Sequence, residues 1–551
     1  MQIKKLYLLA ALGSVLYSCS SNKASVEHET EMAGTEAPAA GSELHRPQFH
    51  FTPPAKWMND PNGMVYHNGE YHLFYQHNPD TTVWAPMHWG HAVSKDMVSW
   101  EHLPIALYPD SLGMIFSGSA VVDKNNTSGF GTDGNPAMVA IYTYHDMPGE
   151  KAGKDDYQSQ GIAYSLDNGR TWTKYAQNPV LKSPNIRDFR DPKVSWYEAG
   201  KKWVMTLAVA DHIRFYTSKN LKDWKLEGQF GQNIGGHGGV WECPDLFKMK
   251  VAGTNEEKWV LLVSINPGGP NGGSATQYFV GDFDGSTFKL DPQFEANLKG
   301  EYAVAGTPVN KGKGIWIDYG RDNYAGVTWA NVPESDGRRL FLGWMSNWDY
   351  ANVVPTENWR SAMTVARTLE LEKTDAGLRI VSKPVKELEN IFGTSYTLEA
   401  QTVTDALALS EKAPFKTATF DLQLELEPVG EAAQFAIELS NDMGQKVLIG
   451  YDATRKQYYI DRREAGKHDF SDKFGGIHYA PRIASDATFP LRLVVDVASV
   501  ELFADNGKTV MTDVFFPDDK FTKVSIIADK GEVKLKSGTL TEVKSIYSAV
   551  Q

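Results

Sequence analysis

Three short segments place a carboxylate one or two residues ahead of a proline: Asn59-Asp60-Pro61-Asn62-Gly63, Arg190-Asp191-Pro192 and Glu242-Cys243-Pro244-Asp245. The residue before a proline is pushed toward an extended conformation, so these acids are expected where strands enter fixed turns, with side-chain directions set by the backbone. Preorganised carboxylates are what hydrolysis of a glycosidic bond needs, one ionised and one protonated on either side of the bond. Taken singly, each acid also reads as a turn residue, Asp-Pro-Asn-Gly above all. Taken together, beside Trp57 and Trp241, they read as a site.

The acids are too far apart in sequence for one helix face: 131 residues separate Asp60 from Asp191, and 51 separate Asp191 from Glu242. Separate strands must therefore bring them together. From about His45 the chain runs in short apolar, β-branched and aromatic stretches bounded by Gly, Asn, Asp and Pro, such as Gly118–Asp123, Lys202–Ala210, Lys258–Ile265 and Arg339–Met345. A weak repeat recurs at Ser94-Lys-Asp96 to Trp100, Ser165-Leu-Asp167 to Trp172 and Ser218-Lys-Asn220 to Trp224. Its spacing fits four-stranded blades with long loops, about five of them. The expected fold is all-β, with a five-bladed propeller over residues 45–370, a connector over 371–393 and a β-sandwich over 394–551. Alternating segments such as Ala418–Leu426, Gln434–Ser440 and Leu491–Val497, with hairpin signals at Asn441–Gly444 and Asp505–Gly507, carry the sandwich. Its expected role is a structural brace.

Composition narrows the substrate. The chain has 551 residues, 55 Lys+Arg against 68 Asp+Glu, and a formal net charge of −13, which disfavours a nucleic-acid partner. Only two cysteines are present, so a disulfide scaffold is excluded. The 15 tryptophans all lie at or before Trp359, which separates the chain into at least two domains with different tasks. His67, His72 and His77 are spaced by five residues, which suits neither one helix face nor one strand face, so no metal is implied. No Gly-rich phosphate loop precedes a helix, and no cofactor is expected.

Residues 1–18 combine Lys4 and Lys5 with an apolar run from Leu6 to Tyr17, the pattern of an export signal and too short for a membrane-spanning helix. The Leu16-Tyr17-Ser18-Cys19 ending resembles a bacterial lipoprotein signal, which would make Cys19 the lipidated first residue of the mature chain. Residues 19–44, rich in Ser, Ala, Glu and Thr, read as a disordered tether. The expected location is outside the cytoplasm, anchored by lipid to a membrane face.

The segments Trp57–Gly63, His88–Ala92, Phe116–Ala120, Phe189–Val194, Trp241–Phe247, Trp316–Asp322 and Gly343–Trp348 resemble, in order, the motif set of glycoside hydrolase family 32. This family comprises invertases, levanases, inulinases and other β-fructosidases. The resemblance spans residues 47–545 and implies a five-bladed propeller followed by a sandwich. It implies Asp60 as the nucleophile toward C2 of a fructosyl unit, Glu242 as acid/base and Asp191 as the acid that stabilises the transition state. By the same matching, Trp57, Asn59, Gln76, Trp84, Phe116, Ser117, Arg190 and Trp344 are expected to line the fructosyl subsite. Turn amides are expected to keep Asp60 ionised, Arg190 to keep Asp191 ionised, and desolvation together with the like charge of the two other acids to hold Glu242 protonated. The implied partner is a fructan or sucrose, with no obligate protein partner. Exo-action is the preferred expectation, with endo-levanase as the alternative. A sialidase, an inverting arabinan- or xylan-cleaving relative and a non-catalytic fructan-binding lipoprotein fit the residues less well.

Overall fold

The computed structural model describes residues 41–132, 134–299 and 314–547. The leader, Cys19 and all but the last four residues of the expected tether lie outside them. Residues 56–384 form five antiparallel sheets arranged as blades. Their inner strands are Lys56–His67, Met114–Val122, Phe189–Tyr197, Val240–Lys250 and Tyr324–Thr328. Each packs beside the next and the fifth packs beside the first, which closes a five-bladed propeller. A two-residue strand, Trp359–Arg360, pairs in parallel with Lys56 and Trp57 on the first blade. Closing the ring in this way protects the sheets from open-edge association.

The sequence repeat has a local cause. Ser94, Ser165 and Ser218 each end the third strand of their blade, and the fourth strand starts just after Trp100, Trp172 and Trp224. Within the turns, Ser165 Oγ donates to Asp167 at 2.7 Å and Ser94 Oγ to Asp96 at 3.0 Å. These acids, and Asn220 in the third copy, then accept backbone N–H groups of the turn. The repeat is thus an Asx-type turn that fixes the outer hairpin of blades one to three.

The fifth blade corrects the expected boundary. Arg367–Thr374 and Gly377–Pro384 are its two outer strands, paired from Arg367↔Pro384 to Thr374↔Gly377. Most of the expected connector over 371–393 is therefore propeller, and only the short 3-10 segment Lys386–Ile391 links the two parts. The last tryptophan, Trp359, precedes the end of the blade and does not mark it. The outer strand instead alternates buried Leu369 and Leu371 with half-buried Glu370 and Glu372.

The C-terminal part is an eleven-stranded sheet folded as a sandwich around two 21-residue strands, Phe420–Ser440 and Lys523–Val543. Leu422, Leu424, Phe435 and Ile437 share its core with Leu491, Leu493, Val524 and Ile526. Its seam with the propeller is ionic and buried. Arg367 donates to Asp318 at 2.9 Å, to Thr512 at 2.7 Å and to Glu501. Glu501 also pairs with His50 at 2.9 Å, and Arg462 donates to Asp322 at 2.6 Å. Asp318 and Asp322, from the Trp316–Asp322 motif, therefore serve the seam. Removing one member would strand a buried charge, at a cost of about 3–5 kcal/mol, so the sandwich braces the fifth blade.

Candidate active site

Every inner strand slips register with its neighbour: between Asn59 and Pro61 (and again between Asn62 and Val65), Ile115 and Gly118, Arg190 and Lys193, Glu242 and Asp245, and Tyr324 and Val327. A bulge bends a strand and re-aims the side chains beside it. Asp60, Phe116, Ser117, Arg190, Asp191 and Glu242 sit at these slips and line a single cavity of about 180 Å³. Tyr324, at the fifth slip, donates its hydroxyl to Glu242 Oε2. The backbone departs from the simple pre-proline expectation: Asp191 has φ 63° and Cys243, which precedes Pro244, has φ 44°. Such left-handed positions cost a non-glycine residue on the order of 1–3 kcal/mol and persist where packing over-determines them.

Cys243 is the hub of the acids. Its backbone N–H donates to Asp191 Oδ2 at 3.0 Å, and its thiol lies 3.6 Å from that oxygen and 3.7 Å from Asp60 Oδ2. Ser117 Oγ also donates to Asp60 Oδ2, at 2.7 Å, while the buried Oδ1 accepts no hydrogen bond among the described residues. Glu242 Oε1 accepts from Arg190 Nη2 at 3.0 Å. Asp60, Asp191 and Glu242 thus come from blades one, three and four and meet around one cysteine.

The electrostatics differ from the expectation. Burial raises Asp60 above the usual carboxylate range, with Glu242 adding to the rise while the Asn59 and Ser117 side chains oppose it. A backbone amide also lowers it, but too weakly to offset burial. Burial likewise pushes Asp191 up to about 7; Arg190 opposes this, and the charges of Glu242 and Asp60 reinforce it. Arg190 cannot prevail because its closer partners are Asp188 and Glu242, whereas Asp191 lies 4.0 Å away. The Glu242 carboxylate reaches the cavity, as its proposed role requires, and accepts from Arg190 and Tyr324, on two other blades. Burial and the three neighbouring acids raise the Cys243 thiol far above its normal value, so it remains a protonated donor.

Of the expected lining, Asn59, Gln76, Trp84, Phe116, Ser117 and Arg190 face the cavity, and Trp57 and Trp344 do not. Both tryptophans are fully buried behind its wall. Trp57 donates to Asn59 Oδ1 at 2.7 Å, and both rings pack on Trp348, with centroids at 5.9 and 5.0 Å. Trp348 takes the wall position because it lies beyond the end of the Arg339–Met345 strand, whereas Trp344 is clamped between Tyr324 and Met363. Sequence reasoning also missed His145, Glu150, Gln158 and Asp188, which complete the lining, and Tyr324. Asp188 and Trp348 stand within or beside quoted motifs; the other four have no local signal. A larger groove of about 590 Å³ runs along the sandwich from Lys383 to Thr539 and holds none of the three acids.

Comparison with known proteins agrees with this architecture. Residues 50–384 match the model of the glycosyl hydrolases family 32 N-terminal domain, and residues 387–542 that of the family 32 C-terminal domain. The division between them falls just after the last strand of the fifth blade. A levanase of Bacillus subtilis is 50% identical over 508 residues, covering 92% of this chain and 71% of that protein. An extracellular exo-inulinase of Aspergillus niger is 40% identical, covering 88% of this chain and 92% of its own. The crystal structure of the exo-inulinase from Aspergillus awamori superposes with a TM-score of 0.81 at 36% identity, covering 92% and 99% of the two chains. With both family models matched in order and the fold shared along nearly the whole described chain, this protein belongs to glycosyl hydrolase family 32.

Proposed function

We propose that the protein releases fructose from the ends of β-D-fructofuranosides, among them levan, inulin, fructo-oligosaccharides and sucrose, by a retaining double displacement. The meeting of Asp60, Asp191 and Glu242 around Cys243 carries this reading. Asp60, steadied through Oδ2 by Ser117, attacks C2 of the fructosyl unit. Glu242 gives its proton to the departing glycosidic oxygen, and the C2–O bond breaks as the Asp60 ester forms. Glu242 then removes a proton from water, which attacks C2 and returns Asp60 as a carboxylate. Asp191 accepts hydrogen bonds from fructosyl hydroxyls, and those bonds favour its ionised form once sugar replaces water. Arg190 and Tyr324 hold Glu242 in place. A cavity of about 180 Å³ is far below the ~300–1,000 Å³ of sites for drug-sized ligands, which suits one terminal unit and supports exo-action. The names of the Bacillus levanase and the Aspergillus exo-inulinases point to the same substrates.

Product chromatography on levan and inulin tests this: fructose alone is expected, and a ladder of oligosaccharides would overturn exo-action. Asp60→Ala and Glu242→Ala are each expected to lower kcat by about three orders of magnitude or more with the fold intact. We further propose export and a lipid anchor at Cys19. Labelling of cells with palmitate should mark the wild type and not Cys19→Ala; equal labelling would reject the anchor.

A further inference from the structure

The rim of the cavity carries a carboxylate that this mechanism leaves unused. Side-chain exposure orders the charged lining by depth: Asp191 5%, Arg190 11%, Glu242 20%, Asp188 30% and Glu150 34%. The fructosyl unit belongs at the level of Asp191 and the glycosidic oxygen at Glu242, so the leaving unit lies at the level of Asp188 and Glu150. Arg190 neutralises Asp188. Among the described residues, no lysine or arginine pairs with Glu150.

Glu150 is nevertheless held in place. It lies in the short helix Met147–Lys151, between the second and third strands of blade two, and its N–H donates to Asp146 O at 2.9 Å. The amide of Gln158 donates to His145 Nδ1 at 3.1 Å, and Gln158 Oε1 accepts from the N–H of Phe189 at 2.7 Å, which fixes the amide's orientation. The neutral ring of His145 therefore carries its proton on Nε2 and donates it to Glu150 Oε2 at 3.1 Å. Burial lowers the pKa of His145, consistent with the neutral ring. His145 also stacks on Phe116 at 4.2 Å, and Phe116 meets Trp84 edge-on at 5.8 Å, so the aromatic wall runs directly into Glu150. The chain from Phe189 to His145 thus occupies one oxygen of Glu150 and leaves the other with no partner among the described residues.

We propose that Glu150, set by His145 and Gln158, accepts a hydrogen bond from a hydroxyl of the leaving unit and so makes the site selective for polyhydroxylated leaving groups. This rests on the glycosidase reading above. Its substrates are sugars whose leaving unit is itself a sugar, in preference to aryl or alkyl fructosides.

The test compares kcat/KM on sucrose with kcat/KM on an aryl β-D-fructofuranoside whose leaving group has no hydroxyl besides the one formed on cleavage. In Glu150→Gln, His145 still claims the side-chain oxygen, so the cavity faces an NH₂ donor where an acceptor stood. Glu150→Ala removes the group altogether. The sucrose-to-aryl ratio should fall about tenfold in both variants. An unchanged ratio would overturn the proposal, whether both rates hold or both fall together, since a merely structural role would depress the two substrates alike. A wild-type enzyme that cleaves neither fructoside would instead overturn the underlying functional reading.

Discussion

Cys243 holds Asp191 twice, through its backbone N–H at 3.0 Å and through its thiol at 3.6 Å, both on Oδ2. Because the thiol also lies 3.7 Å from Asp60, one small side chain separates two like charges that burial alone would leave facing each other. The thiol should therefore resist iodoacetamide in the native enzyme and react only on unfolding, as followed by mass spectrometry. Cys243→Ala should lower kcat by about three- to tenfold, since the single weak S–H donor shared by the two carboxylates is lost and no atom replaces the sulfur. Rapid native alkylation, or an unimpaired alanine variant, would contradict this placement.

Asp191 sets stability against function. Its folded-state pKa of about 7 lies above the ordinary carboxylate value of ~4. The folded protein binds the extra proton between those values, so the wild type loses stability as pH rises from about 4 to about 7. Asp191→Asn should abolish activity yet raise Tm by a few degrees above pH 7, with the gain vanishing below about pH 4. Thermal unfolding across that range checks the sign; a variant less stable than wild type at pH 8 would refute it.

Tyr324 acts on Glu242 from the fifth blade. Burial keeps its hydroxyl protonated, and it donates to the Oε2 that Arg190 does not hold. Tyr324→Phe should lower kcat by about tenfold with KM within about twofold, as steady-state kinetics on sucrose would report. An effect confined to KM would mean that Tyr324 contacts substrate instead.

His50 ties the start of the propeller to the sandwich. Its ring bridges Asp496 at 2.8 Å and Glu501 at 2.9 Å. Burial works against its charge, but these two hydrogen bonds and charges push its pKa up to about 9. A raised histidine stabilises fully below its unfolded pKa of ~6.5, and the contribution fades as pH rises through about 9. Wild-type stability should thus drop by about 3 kcal/mol between pH 6.5 and 9 from this group, and His50→Gln should lack that component. Denaturant unfolding of both proteins over the interval gives the comparison; parallel curves would remove His50 from the explanation.

The three acids were legible because each lies one or two residues ahead of a proline in a short, distinctive segment, and the blade count followed from a turn motif whose hydrogen bonds are local. What the sequence concealed depends on adjacency between blades. Whether Arg190 serves Asp191 or Glu242 is decided by the packing of blade three on blade four, and no spacing encodes it. The choice between Trp344 and Trp348 turns on where the Arg339–Met345 strand ends, with Trp344 inside it and Trp348 beyond it. Glu150, His145 and Gln158 come from one connection of blade two, and only pairing of His145 with Gln158 at the strand ends brings them to the cavity. The end of the fifth blade was hidden because its outer strands contain no tryptophan.

The double displacement predicts a fructosyl ester on one particular oxygen-bearing side chain. In Glu242→Ala the base for the second step is missing, so a fructosyl donor with a good leaving group should load the enzyme faster than water can clear it. Acid quench, proteolysis and mass spectrometry should find one hexosyl unit added to the peptide containing Asp60. An adduct on Asp191 instead, or donor consumption by the wild type that yields α-fructose as the first anomer in proton NMR, would contradict the assignment.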